Sequence, residues 1–164
     1  MQPITIKEAE KLSSPNPFAL VVTCDDTGKQ NLMALSWWTY ASNNPPTVAI
    51  CLSGRGHSHT LIDGNGMFSL CLPDDTIAEA ACKCGTRSGR DTDKAAEFGI
   101  ELIPANEIAP MLVARSKVAM ECKVVSAAEA GDHILYIANV VAVHANPDVP
   151  HLMCENGYGA LKAY

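Results

Sequence analysis

Between Leu32 and Ser42 the even positions carry Leu32, Ala34, Ser36, Trp38, Tyr40 and Ser42, and the odd ones Met33, Leu35, Trp37, Thr39 and Ala41. Alternate side chains on a strand point to opposite faces, so both faces of this stretch present apolar or aromatic groups. A strand with one wetted face would alternate apolar and polar. Here one face fills a core and the other meets a second subunit, a planar ligand, or both. Trp37 and Trp38 are the only tryptophans of the chain, and neighbouring positions send one indole to each face. One of them therefore serves either an ordinary interface or a ligand.

The same reading extends along the chain. Thr5-Ile6-Lys7-Glu8 has the form of a capping box and predicts a short, peripheral helix over Lys7 to Leu12. Phe18 to Cys24 is a strand, and the turn Asp25 to Lys29 folds it into a hairpin with the strand above. After the turn Asn43-Asn44-Pro45-Pro46 come strands over Thr47 to Leu52 and Met67 to Leu72. Pro73-Asp74-Asp75 caps a helix to about Lys83, and Asp91 caps another through Phe98, stopped by Gly99. A short strand over Ile100 to Ile103 and a loop over Pro104 to Met111 follow. In Lys117 to Val125 the residues Val118, Met120, Cys122 and Val124 oppose Lys117, Glu121 and Lys123, as in a half-buried strand. The turn Ala130 to His133 leads to a long apolar strand, Ile134 to Val143, and Asn146 to Tyr164 reads as loop. Many strands with helices too few for βαβ repeats predict a mainly β fold with short helices, an antiparallel barrel.

At 164 residues the chain suits one domain spanning 1–164. Twelve basic against 18 acidic residues leave a net charge of −6, which argues against nucleic acid or an anionic membrane as partner. No apolar run is long enough to span a bilayer and the start lacks a signal-like core, so the expected location is the cytoplasm. Seven cysteines in that setting read as small buried hydrophobes kept reduced.

Chemistry concentrates in two loops. Ser53-Gly54-Arg55-Gly56-His57-Ser58-His59-Thr60 precedes a helical turn at Leu61-Ile62. Glycines permit close backbone approach, Arg55 offers a planar fork of donors, and Ser58 and Thr60 offer hydroxyls near a helix start. An anionic phosphate needs such a set, because the first amides of a helix lack partners and the dipole favours negative charge. The pattern is neither a Walker A sequence nor a dinucleotide fingerprint, and Ser58 also reads as a plain helix cap. Four of the 12 basic residues lie between Lys83 and Lys94. That field suits an anionic ligand, or a solvated loop in which Asp91 and Asp93 offset two charges. His57-x-His59, Cys82-x-Cys84 and His151 with Cys154 are zinc-type or thiol-redox ligands at spacings of no common motif, and no metal is expected.

Taken in order, Asn31-x-Met33-x-x-Ser36, Pro45-Pro46, Arg55-x-x-Ser58-x-Thr60, Cys84-Gly85-x-x-Ser88-Gly89-Arg90-Asp91-x-Asp93-Lys94 and Gly131-Asp132-His133 form a set that resembles the flavin reductase-like proteins. Within them the chain is most similar to the flavoredoxin branch, from about Phe18 to Tyr158. The resemblance implies an FMN-binding split β-barrel working as a homodimer, with FMN at or near the subunit interface. It implies NADH or NADPH as electron donor and a small molecule or redox protein as acceptor. It puts Ser36, Trp37, Trp38 and Thr39 along the isoalloxazine, Arg55, Ser58 and Thr60 on the phosphate, and Ser88 and Lys94 near the same site. His133 would face the open side of the flavin and position a nicotinamide or substrate as the catalytic side chain. Ala138 stands where the family resemblance leads one to expect glycine, and the end of the chain soon after Tyr158 implies a more open substrate side. An FMN-binding electron carrier without NAD(P)H activity is the alternative for the same site.

Overall fold

The computed structural model describes residues 1–156 and 160–164. Its main sheet contains β2 (Ala19–Cys24), β3 (Gln30–Leu35), β4 (Trp38–Asn43), β5 (Pro46–Ser53), β6 (Met67–Pro73), β9 (Ser116–Ala130) and β10 (His133–Ala145). They lie in the order β3-β2-β6-β9-β10-β5-β4, each pair antiparallel. The two outermost strands are consecutive in the chain and joined only by Ser36 and Trp37. Three residue steps span at most about 10 Å, so the sheet must curl until its edges adjoin. The result is the expected antiparallel split barrel. The stretch predicted as one strand over 32–42 is therefore two, because the chain leaves one edge at Leu35 and starts the other at Trp38.

β2 explains why an apolar run needs no polar alternation. Ala19 and Val21 point into the barrel beside Ile50, Phe68, Leu70 and Tyr136. Leu20 and Val22 join Phe18 in a second core outside it. That outer core is roofed by α3 (Ala78–Lys83), α4 (Lys94–Phe98) and the small pair β7 (Leu102–Ile103) and β8 (Leu112–Val113). One end of the barrel is plugged by Ile62 of α2 (His57–Asn65). A short first helix, α1 (Ile6–Leu12), has the expected capping box between Thr5 and Glu8.

Several expectations are corrected. The segment read as a terminal loop contains β11 (Leu152–Glu155) and β12 (Ala160–Ala163), with β11 pairing on one side with β12 and on the other with β1 (Asn16–Pro17). Leu152 and Cys154 alternate into the outer core, which is what holds these strands there. Tyr158, where the resemblance ends, lies outside the described residues. Asp93 rather than Asp91 caps α4, its carboxylate accepting from the Ala96 amide at 3.1 Å. Glu121, read as solvated, is fully buried. The seven cysteines are free thiols, five of them buried. Among the described residues no helix is long and apolar enough to cross a membrane.

Candidate functional site

The hairpin register assembles the site. His133 at the start of β10 pairs with Ser53 at the end of β5, and the Gly54 amide donates to the Asp132 carbonyl at 3.1 Å. On the other side of β5 the Cys51 amide donates to the Trp37 carbonyl at 2.9 Å. The phosphate-type loop, the His133 turn and the barrel's closing link thus lie side by side.

Two cavities open there. The first, of about 360 Å³, lies between the Arg55–Ser58 loop and the 84–90 segment. Arg55, Arg87 and Arg90 reach it and form no ion pair among the described residues. α2 begins at its wall with Gly56 as a cap that supplies no side-chain hydrogen bond, so the helix start is left open to a ligand. Asn31 forms the floor. Its Nδ2 donates to Ser58 Oγ at 2.9 Å and to Thr23 Oγ1 at 3.1 Å, while its Oδ1 is buried without a partner. Gly89 packs directly on that amide, since a Cβ there would come within 1.8 Å of Asn31 Oδ1. The cavity is electropositive: burial, then the charges of Arg90, Lys29 and Lys94, hold the His57 imidazole below its ordinary value.

The second cavity, of about 720 Å³, shares Met33 and Ala34 with the first and continues along Leu35, Ser36 and Trp37 to Asp132 and His133. Its far wall is α1, through Ile6, Lys7 and Glu10, with Ser13 just past the helix end, so the helix expected to be peripheral borders the site. Trp37 and His133 lie with ring centroids 4.8 Å apart and planes tilted by 35°. His133 Nδ1 is 2.7 Å from Asp132 Oδ1. A carboxylate can only accept, so the proton sits on Nδ1 and Nε2 stays available. The hydrogen bond from His133 keeps the Asp132 carboxyl below its ordinary range.

Of the residues singled out in the sequence, Ser36, Trp37 and His133 line the second cavity, and Arg55, Ser58, Ser88 and Lys94 the first. Lys94 is buried, with Nζ donating to the carbonyls of Leu32 at 2.7 Å and Cys84 at 2.9 Å, so it ties the basic loop to β3. Desolvation lowers its pKa. Ser58 is not a cap but the acceptor for Asn31. The structure does not bring Trp38, Thr39 or Thr60 into either cavity. Trp38 packs on the barrel core and donates from Nε1 to the Pro17 carbonyl at 3.2 Å. Thr39 shares a separate apolar cavity with it, and Thr60 Oγ1 donates back to the His57 carbonyl at 2.8 Å. Sequence reasoning had passed over Asn31, Gly89 and Arg90 as site residues, although all three stand in the ordered motif set. Among the described residues no three His, Cys, Asp or Glu side chains are grouped to hold a metal.

The flavin reductase like domain profile matches residues 12–162. An uncharacterized protein of Aeropyrum pernix is 28% identical over 149 residues, which are 90% of this chain and 56% of that protein. The chain thus spans little more than half the length of that curated relative. Flavoredoxin of Desulfovibrio vulgaris (Miyazaki F) superposes with a TM-score of 0.84 at 22% identity, covering 93% of this chain and 88% of its own. The NADH:FAD oxidoreductase SgcE6 of Streptomyces globisporus C-1027 superposes with a TM-score of 0.87 at 17% identity, over 100% of this chain and 96% of its own. These structures share the split-barrel fold. With its profile running through nearly the whole sequence, from α1 to β12, the chain belongs to the flavin reductase-like family.

Proposed function

We propose that the protein is an FMN-binding oxidoreductase of the flavoredoxin type, fed by NADH or NADPH. The observation that carries this reading is the junction at Met33 and Ala34 between an electropositive cavity and a wider one walled by Trp37 and His133. FMN has the same order of parts: a phosphate, a short hydroxylated chain and a planar, largely apolar ring. The residues fit it. Arg55 and Arg90 with the open start of α2 would hold the phosphate, and the orphaned Asn31 Oδ1 would accept from a hydroxyl of the chain. The buried charge of Lys94 reinforces the same positive field, and Ser88 adds a hydroxyl to the cavity wall.

When bound, the flavin supplies the hydride and electron transfer. The chain's own residues bind, orient and enclose. Trp37 and Met33 would give the ring apolar contact. Asp132 fixes the imidazole of His133, whose Nε2 is left to position the nicotinamide or another substrate. A homodimer is part of the proposal: Trp37, Tyr40, Val125, Val141 and Val143 are exposed apolar side chains that a second copy would cover. Sedimentation velocity giving a monomer with flavin bound would remove that part.

The deciding experiment is a visible spectrum of the purified protein, repeated after anaerobic NADH and then NADPH. A two-band flavin spectrum that bleaches with either nucleotide supports the oxidoreductase. A yellow protein that does not bleach is a carrier fed by another protein, and a colourless one that takes up no FMN overturns the reading. Two substitutions refine it. Gly89→Ala must displace either the loop or Asn31, and is expected to weaken FMN binding about tenfold in a fluorescence-quenching titration; wild-type affinity would mean that the loop is no wall of the site. His133→Ala is expected to leave FMN affinity unchanged and slow reduction by the nicotinamide about tenfold in stopped flow; unchanged kinetics would make His133 structural.

A further inference from the structure

The helix start at the electropositive cavity belongs to an element with little apolar hold. α2 has nine residues, of which only Leu61 and Ile62 carry large apolar side chains, and Gly64 stands in its interior. A helix this short is marginal by itself, so its direction is set by what ties it to the barrel. At its start Ser58 is tied to Asn31, and at its end Asn65 Nδ2 donates to the Cys24 carbonyl at 2.7 Å. Between them acts one hydroxyl. Tyr136 of β10, only 1% exposed in the barrel core, donates from it to Asp63 Oδ1 at 2.7 Å. With that proton committed to the carboxylate, His59 Nδ1 is the donor in its 2.5 Å contact with the same hydroxyl, and it also lies 3.3 Å from Asp63 Oδ2. Burial, then Asp63, push the phenol up, which keeps it a donor.

His59 and Asp63 stand four positions apart on one face of α2, so a single group of β10 holds two successive turns. The consequence falls on the clamp, because Gly56, His57 and Ser58 line the electropositive cavity. At about 1.5 Å per residue α2 is about 13 Å long, and a tilt of about 5° about its far end moves its first amides by about 1 Å. A shift of that size takes a hydrogen bond out of range. We propose that Tyr136 is a positioning residue for the flavin phosphate: through Asp63 and His59 it aims the start of α2 into a cavity that it does not itself line. The assignment rests on the flavin reading of that cavity.

The test uses the full chain and titrates FMN and riboflavin separately by flavin fluorescence, in the parent, Tyr136→Phe and Asp63→Ala. Riboflavin has the ring and the hydroxylated chain of FMN but no phosphate, so it reports on every contact except the clamp. Tyr136→Phe keeps the ring in the core and removes only the hydroxyl. Asp63→Ala removes its acceptor at a side chain that is 53% exposed, so it tests the same tie without touching the core. Each variant is expected to weaken FMN about tenfold and riboflavin less than about twofold. Equal loss for both flavins would make the hydroxyl a support of the fold alone and overturn the proposal. No loss for either flavin, or a selective loss in only one of the variants, would overturn it as well. A parent that binds neither flavin, or FMN no more tightly than riboflavin, removes the clamp itself and the proposal with it.

Discussion

Arg55→Ala is expected to lower FMN affinity by about 10- to 100-fold and to leave the unfolding midpoint unchanged. Each charge-assisted hydrogen bond to a phosphate contributes about 1.5–3 kcal/mol, and a guanidinium fork can place two. Every 1.4 kcal/mol is about tenfold in affinity, so losing one or two such bonds sets the range. Folding should be indifferent. Arg55 is exposed and forms no ion pair among the described residues, and its backbone amide donates to Ser53 Oγ at 3.4 Å. Substitutions of that kind usually stay within about 0.5 kcal/mol of the parent. Arg55→Lys should recover part of the affinity, because it restores the charge but not the fork. Flavin content and dissociation constant equal to those of the parent would remove Arg55 from the clamp.

The inner cavity was legible where function depends on residue type within a few positions of chain. The Arg55 to Ser58 loop needs only glycines, a guanidinium and a helix start, and all of these are local. Trp37 and Trp38 do part, though not as neighbours on one strand: Trp37, in the link between β3 and β4, lies against His133, while Trp38, the first residue of β4, meets the barrel core. What could not be read was long-range pairing. Asn31 becomes the floor of the site only because β3 lies under α2, which brings Ser58 within 2.9 Å of a residue 27 positions away. Lys94 looked like one more cation in a basic loop. Its role as a tie follows from two backbone carbonyls, one of them 62 positions distant. The break at Ser36 was hidden because a curling sheet needs no polar signal at the point where its edges meet. The C-terminal pair was missed because only Leu152 and Cys154 alternate, too short a run to outweigh the loop-like residues around it.

Glu121 shows the cost of the same blindness in reverse, since period-two alternation assigned it to solvent. β9 does turn Glu121 away from the barrel, but the 104–111 segment straps over that face. Its carboxylate accepts from the amides of Asn106 at 2.9 Å and Glu107 at 2.6 Å, and lies 2.7 Å from His144 Nε2. The strap's far end is fixed by Met111, whose amide donates to Gln30 Oε1 at 2.9 Å and whose carbonyl accepts from Ser69 Oγ at 2.6 Å. Glu121→Ala removes the acceptor for two backbone donors, each costing about 1–3 kcal/mol when left unsatisfied. The expected loss is about 3 kcal/mol in denaturant unfolding at pH 7, with FMN affinity unchanged because Glu121 lines neither cavity of the site. Burial pushes this carboxyl up, but the two amides and His144 outweigh it, and the net shift is below the ordinary 4.5. The folded state therefore prefers the ionised form. Its stabilisation is complete above the unfolded value and is lost as the pH falls through the lowered folded one. The gap in stability between the parent and Glu121→Gln should accordingly be constant from about pH 7 down to about 5 and narrow below 4.5. A gap that does not change with acid would mean that the hydrogen-bonded shape of the side chain, rather than its charge, holds the strap down.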